Sequence, residues 1–309
     1  MTCDPIFLHS SWRSGSTYIW SKFRQRGDTY CYFEPLNEYL LALTPEVIGR
    51  FVPWSFAHHP PLDAPYLEEF RPLIASGGGI PGFPAHLTFG RYCATGVDFL
   101  PELEAYLANL DGLAASLGKR PVYGFVRTDL RVRWFRADAR GAHIFIRRDP
   151  RCQFLSMLRQ AVQGNAYFLE RGTVILRNNL EEPAFASLLA AIEPSQLPDS
   201  RGLRDAFRSK RADETLLRQL YSIFYFLWIL ARELGEPHCH LAIDIDRLSL
   251  DHSYRRAIAD RLYDLVNLPI SFDDCRVERY DASLDWCARQ FAALEWEIET
   301  MAGAASLAT

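Results

Sequence analysis

Leu8-His9-Ser10-Ser11-Trp12-Arg13-Ser14-Gly15-Ser16-Thr17-Tyr18 is the stretch on which the fold of this chain turns. Before it lies the short apolar run Pro5-Ile6-Phe7-Leu8; after it, Ile19, Trp20 and Phe23 recur at helical spacing. Strand, small-residue loop and helix together aim several backbone N–H groups and a helix dipole at one anion. Gly15 allows close backbone approach, Ser14, Ser16 and Thr17 add hydroxyl donors, and Arg13 places a permanent charge at the loop mouth. The expectation is a phosphate cradle. A bland alternative is that Ser16 or Thr17 only caps the helix. The stretch also lacks G-x-x-x-x-G-K-[ST], having one glycine and no lysine at the helix start, which disfavours an ATPase, GTPase or kinase.

A second strand-to-helix junction follows. Ala142-His143-Ile144-Phe145-Ile146 reads as a buried strand, and Arg147-Arg148-Asp149-Pro150-Arg151 leads into a helix through Phe154, Leu155, Ser156 and Leu158. Pro150 suits a first helical turn, and Asp149 complements the N-terminal dipole.

Together these two segments resemble the sulfotransferases that use 3′-phosphoadenosine 5′-phosphosulfate (PAPS), especially the carbohydrate type. Ser-Ser-Trp-Arg-Ser-Gly-Ser-Thr is similar to that family's 5′-phosphosulfate loop, and Arg148-Asp149-Pro150-Arg151 with Ser156 has the spacing of its 3′-phosphate motif. The resemblance covers residues 5–35 and 121–158. It implies that Arg13, Ser14, Gly15, Ser16 and Thr17 hold the 5′-phosphosulfate, that Tyr18 stacks on adenine, and that Arg148 and Ser156 bind the 3′-phosphate. The family also carries a Glu-Pro stretch matching Glu34-Pro35, and in some members that glutamate is the proposed base. Two features depart from the cytosolic small-molecule branch. Arg127-Thr128-Asp129 stands where that branch has K-T-H with its catalytic histidine, and no R-K-G-x-x-G motif occurs near the end. Asp129 is therefore the reserve candidate for the base, and Arg127 could contact a phosphate or pair with Asp129.

Composition narrows the classes. The 309 residues are 49% hydrophobic, enough for one large core, and a net charge of −4 gives no global basic field for nucleic acid. The seven cysteines are scattered without a C-x-x-C pair, which points to reduced thiols and neither zinc nor a disulfide framework. The first strand begins near Met1, leaving no room for a signal peptide, and the longest apolar run, Ile223 to Ala231, falls short of the about 20 residues needed to cross a bilayer. The expectation is a soluble, bacterial, cytoplasmic protein without a transmembrane segment.

Along the chain, Thr29–Phe33, Pro121–Val126 and Cys239–Ile243 are expected strands. Helices are expected at 65–75, 99–117, 216–234, 253–267 and 283–301. Asp244-Ile245-Asp246-Arg247-Leu248 resembles the family's Y-E-D-L segment.

The expected architecture is α/β: a P-loop-like three-layer fold whose central, mainly parallel sheet of about five strands is flanked by helices. It would be one domain, 1–309, with insertions at about 52–96 and 159–213 on the acceptor side. The expected activity is sulfuryl transfer from PAPS to a hydroxyl, favouring a carbohydrate or glycoconjugate, with PAP as co-product. Glu34 and Arg13 would be the catalytic pair, the acceptor a small molecule or glycan, and no metal would take part. A kinase-like phosphotransferase and a non-catalytic nucleotide- or glycan-binding module are the alternatives.

Overall fold

The computed structural model describes residues 4–51, 62–93, 100–136, 140–192, 197–209, 212–278 and 291–300. Five strands, β1 (Ile6–Ser10), β2 (Thr29–Phe33), β3 (Arg120–Phe125), β4 (Ala142–Arg147) and β5 (Leu241–Asp244), form one sheet in the order β2-β3-β1-β4-β5. Every pairing is parallel. β1 registers Ile6 against Val122 of β3 and against Ala142 of β4, so the strand before the glycine loop is central. All five of its residues are buried, as expected of a parallel strand covered on both faces.

The helices are α1 (Ser16–Arg24), α2 (Pro45–Arg50), α3 (Pro101–Ser116), α4 (Val132–Arg136), α5 (Pro150–Val162), α6 (Tyr167–Asn178), α7 (Ala186–Ala191), α8 (Ser200–Arg208), α9 (Glu214–Leu230), α10 (Ile245–Leu250), α11 (His252–Val266) and a last helix, α12, over 291–300. The architecture is thus the expected α/β one. The boundaries read from the sequence hold to within a few residues, with two exceptions. The helix expected at 65–75 is only a 3-10 segment, Glu68–Leu73, because Pro72 has no amide hydrogen to extend an α-helical ladder. Of the tail helix expected at 283–301, the described part is 291–300. Parts of the insertion read at 52–96 also lie outside the described residues.

Two clusters of buried apolar side chains make the core. One surrounds the sheet and joins α1, α3 and α11; the other joins α5, α6, α9 and α12. α9 continues into one π turn, Ala231–Gly235. A Cβ on Gly235 would stand 1.8 Å from the Asp129 carbonyl oxygen, so glycine is required for this backbone contact. The buried polar residues of the central strands are satisfied in a chain. Thr128 Oγ1 lies 2.7 Å from His9 Nδ1, and His9 Nε2 lies 3.0 Å from His143 Nδ1. His143 Nε2 in turn reaches the Arg140 carbonyl at 3.0 Å. That carbonyl can only accept, so His143 Nε2 carries a hydrogen. Burial lowers the pKa of His9, which favours neutral rings in which His9 Nε2 donates to His143 Nδ1 and Thr128 donates to His9 Nδ1. Burial accordingly drives the His143 pKa down to about 4.

The order of the strands decides where a ligand belongs. The chain leaves β1 for the β2 side, returns to β3, and then crosses β1 to reach β4. Open α/β sheets bind ligands at such a switch, outside the carboxyl ends of the strands. Here that position is the loop Ser11–Gly15.

Candidate functional site

The loop after β1 is shaped by two residues in the left-handed region, Arg13 (φ 66°) and Gly15 (φ 87°). A Cβ at Gly15 would approach Ile245 Cγ1 to 2.6 Å, so the position needs glycine for space as well as for backbone conformation. Gly15 is the N-cap of α1 and supplies no side-chain acceptor, and the first turn carries no acidic residue. Tyr18 and Ile19 amides both return to the Gly15 carbonyl. The earlier amides of the turn have no intrahelical acceptor, which makes this helix end suited to an anion.

Three residues from the second motif clamp the loop. Arg13 Nε donates to Ser156 Oγ at 3.0 Å. Fully buried Gln153 donates from Nε2 to Ser11 Oγ and to the Trp12 carbonyl, both at 2.7 Å. Arg148, only 5% exposed, donates to the carbonyls of Arg13 (3.4 Å) and Glu278 (2.6 Å) and pairs with Asp246 at 3.4 Å. The Asp149 carboxylate caps α5 by accepting from the Cys152 amide at 2.9 Å. Asp246 also accepts from the Asp149 amide at 2.8 Å, tying the segment after β5 to the same corner.

A cleft of about 810 Å³ opens beside this corner. Arg13, Gly15, Ser16, Thr17, Tyr18, Glu34, Arg148 and Ser156 all line it, so eight of the nine residues read from the sequence share one cavity. The ninth, Ser14, does not line it. Ser14 is fully buried, and its hydroxyl donates to the Ser11 carbonyl at 2.8 Å, which spends it on closing the turn. Tyr18 offers its ring to the cleft, with its hydroxyl anchored on Asp274 at 2.7 Å and Lys22 Nζ 5.2 Å from the ring centroid.

Glu34 follows β2 in a left-handed conformation (φ 46°), held by its amide's bond to the Gly124 carbonyl at 2.7 Å. A non-glycine residue in that region is a local strain of the kind that functional sites retain. Its Oε2 accepts from Asn37 Nδ2 at 3.0 Å and lies 3.2 Å from Arg127 Nη2. Burial raises the Glu34 pKa; Arg127 opposes the shift, and the charge of Glu38 adds to it.

Glu34 begins an alternating ladder of charges that the sequence reading did not foresee. Arg127, 1% exposed, binds Glu38 at 2.6 Å; Glu38 binds Arg171 at 3.2 Å; Arg171 binds Glu170 at 3.3 Å; and Glu170 binds Arg204 at 3.0 Å. Tyr167 bridges the first rungs, accepting from Arg127 at 3.0 Å and donating to Glu38 at 3.2 Å. Burial works against the charge of Glu38, but Arg127, its backbone and Arg171 outweigh it and keep its pKa below the usual value. Arg127 therefore pairs with Glu34 and Glu38, not with Asp129.

Asp129 belongs to a different space. It lines a small internal cavity of about 50 Å³ with Trp12, Tyr92 and apolar side chains of α6 and α9. Its Oδ1 meets no hydrogen-bond donor among the described residues, and burial pushes its pKa up to about 7. It does not line the cleft.

Among the described residues, no group of three or more His, Cys, Asp or Glu side chains is arranged to hold a metal ion, and no helix is long and apolar enough to cross a membrane. Five described cysteines, at positions 31, 93, 152, 239 and 275, are free thiols. No family model and no curated protein matches the chain. What the site defines by its own geometry is a cleft with an anion-accepting loop at one wall and a buried carboxylate of raised pKa at another.

Proposed function

We propose that the protein is a sulfotransferase that moves a sulfuryl group from PAPS to a hydroxyl, with a carbohydrate or glycoconjugate as the favoured acceptor. The observation that carries this reading is the convergence of Arg13, the uncapped start of α1, Arg148 and Ser156 on the same cleft as Glu34. These residues fit a donor with two anionic ends. The α1 amides with Ser16 and Thr17 bind the 5′-phosphosulfate, Arg148 and Ser156 bind the 3′-phosphate, and the Tyr18 ring packs on adenine.

In the transfer, the acceptor oxygen bonds to sulfur while the bond from sulfur to the bridging oxygen of the 5′-phosphate breaks, and PAP leaves. Such a reaction needs placement and charge stabilisation more than covalent catalysis. Arg13 stabilises charge growing on the bridging and sulfuryl oxygens, and Glu34 takes the acceptor's proton. Burial favours this second role, since a raised pKa makes Glu34 a stronger base at neutral pH. The acceptor wall supports a carbohydrate. Asn37, Glu38 and Arg171 supply hydrogen-bonding groups, while Tyr39, Phe51 and Tyr66 supply flat apolar faces for the C–H side of a sugar ring.

The test is a thermal-shift comparison of PAP with ATP–magnesium. At a hundredfold excess over its dissociation constant PAP stabilises the fold by about 2.7 kcal/mol. ATP–magnesium is expected to do so weakly. Equal or greater stabilisation by ATP would overturn the donor assignment in favour of a phosphotransferase. PAP binding without transfer to any of a panel of sugars, lipids and phenols, assayed by radiolabelled sulfate from PAPS, would leave a non-catalytic binding module.

A further inference from the structure

The charge ladder along the acceptor wall ends unevenly. At its inner end Glu34 is enclosed by Asn37 and Arg127. At its outer end Arg204 is 47% exposed and donates only through Nη1, both of whose bonds go to Glu170, at 3.1 and 3.0 Å. No described residue accepts from its Nε or Nη2. A guanidinium offers five donors in a planar fork, so Arg204 retains an unspent edge.

The structure also accounts for how this edge is aimed. Leu203 and Phe207, one turn apart on α8, are buried and fix the helix face; Arg204 follows Leu203 and lines the cleft. Glu170, 1% exposed, is deeply buried for a carboxylate and takes both Arg171 and Arg204. Arg171 is engaged at all three nitrogens, giving Nε to the Tyr167 carbonyl and one hydrogen of each Nη group to Glu38 and Glu170. Three carboxylates face three guanidiniums along the ladder, so what distinguishes Arg204 is its exposure: it is 47% exposed, against 1% for Arg127 and 10% for Arg171, and it turns its unspent donors to the cleft.

We propose that Arg204, supported by Glu170, forms an anion subsite at the outer end of the acceptor cleft. The acceptor is then a hydroxyl compound that itself carries a carboxylate or a sulfate. This deepens the sulfotransferase reading and rests on it for the word acceptor, but the anion preference of the cleft stands or falls separately. The subsite orients the substrate: its anion docks on the edge of Arg204 and its reacting hydroxyl points back toward Glu34.

The experiment is calorimetric titration of the PAP-saturated protein with glucose, glucuronate and glucose 6-sulfate, repeated without PAP. The expected result is that at least one charged sugar binds ten times or more tightly than glucose, with weakening at 0.3 M sodium chloride. The two charged probes distinguish carboxylate from sulfate. Arg204→Gln is expected to reduce the charged sugar to the affinity of glucose while leaving glucose and PAP unchanged. Arg204→Lys keeps the charge beside Glu170 and is expected to bind at an intermediate level, which separates loss of the fork from loss of folding. Equal binding of neutral and charged sugars, or full affinity in Arg204→Gln, overturns the subsite. If PAP fails to bind while the charged sugars still bind through Arg204, the donor assignment falls and the subsite remains.

Discussion

Arg13 donates from Nε to Ser156 Oγ at 3.0 Å, joining the loop that follows β1 to the helix that follows β4. The same serine assigned to the 3′-phosphate therefore also positions the arginine assigned to the transferring group. Gln153, one turn earlier on α5, holds the loop backbone at Ser11 and Trp12. The two sequence motifs form one mechanical unit.

That unit makes the two residues energetically coupled. Arg13→Ala and Ser156→Ala are each expected to weaken PAP binding more than tenfold, since a charge-assisted hydrogen bond is worth roughly 1.5–3 kcal/mol. The double variant should lose less than the sum of the single losses, because each single change already breaks their shared bond. A double-mutant cycle by calorimetry measures this. Strict additivity would show that the bond is idle in the complex.

The second prediction concerns the pH dependence of turnover. Glu34 must be ionised to accept a proton, so the rate is expected to rise with pH through a value above that of an ordinary glutamate, owing to burial and to Glu38. Glu38→Gln removes the like charge and leaves Arg127 to Glu34, so the acidic limb should move to lower pH. Arg127→Gln should move it higher. Glu34→Gln should abolish the limb and reduce turnover by about 10²–10⁴. A wild-type limb that ignores both neighbours would mean that another group titrates.

Asp129 yields a prediction about stability. Its folded pKa is raised to about 7 by burial, whereas the unfolded chain ionises it near 3.8. The contribution of the neutral carboxyl is fully present below 3.8 and is lost as pH rises through 7. Asp129→Asn should therefore leave stability little changed at pH 4 and raise it by up to about 4 kcal/mol at pH 8. Turnover should stay near wild type, since Asp129 does not line the cleft. Denaturant titrations at the two pH values, alongside the turnover assay, decide it. A large loss of turnover with unchanged stability would return Asp129 to the acid–base chemistry.

By itself the sequence determined the strands and the two strand-to-helix junctions. Ile6–Leu8 is an unbroken apolar run and Ala142–Ile146 is interrupted only by His143, a pattern that suits a sheet covered on both faces. Asp149-Pro150 starts a helix through a side-chain cap and a fixed φ, and Gly15 marks a turn where the backbone needs glycine's freedom. These are local rules, acting over a few residues; it was the resemblance of the two motifs to a known family that singled out Tyr18, Glu34, Arg148 and Ser156, and in the fold these line one cleft with Arg13 and Gly15–Thr17. Tertiary structure alone decided the partners. The strand order β2-β3-β1-β4-β5 brings Arg127, just past the end of β3, to Glu34 and Glu38, and the packing of α6 and α8 supplies Arg171, Glu170 and Arg204. Pairing between charges distant in sequence leaves no periodicity to detect. It is fixed by which elements become neighbours, and the same topology put Asp129 behind Trp12 in the smaller cavity while turning the Ser14 hydroxyl onto its own loop.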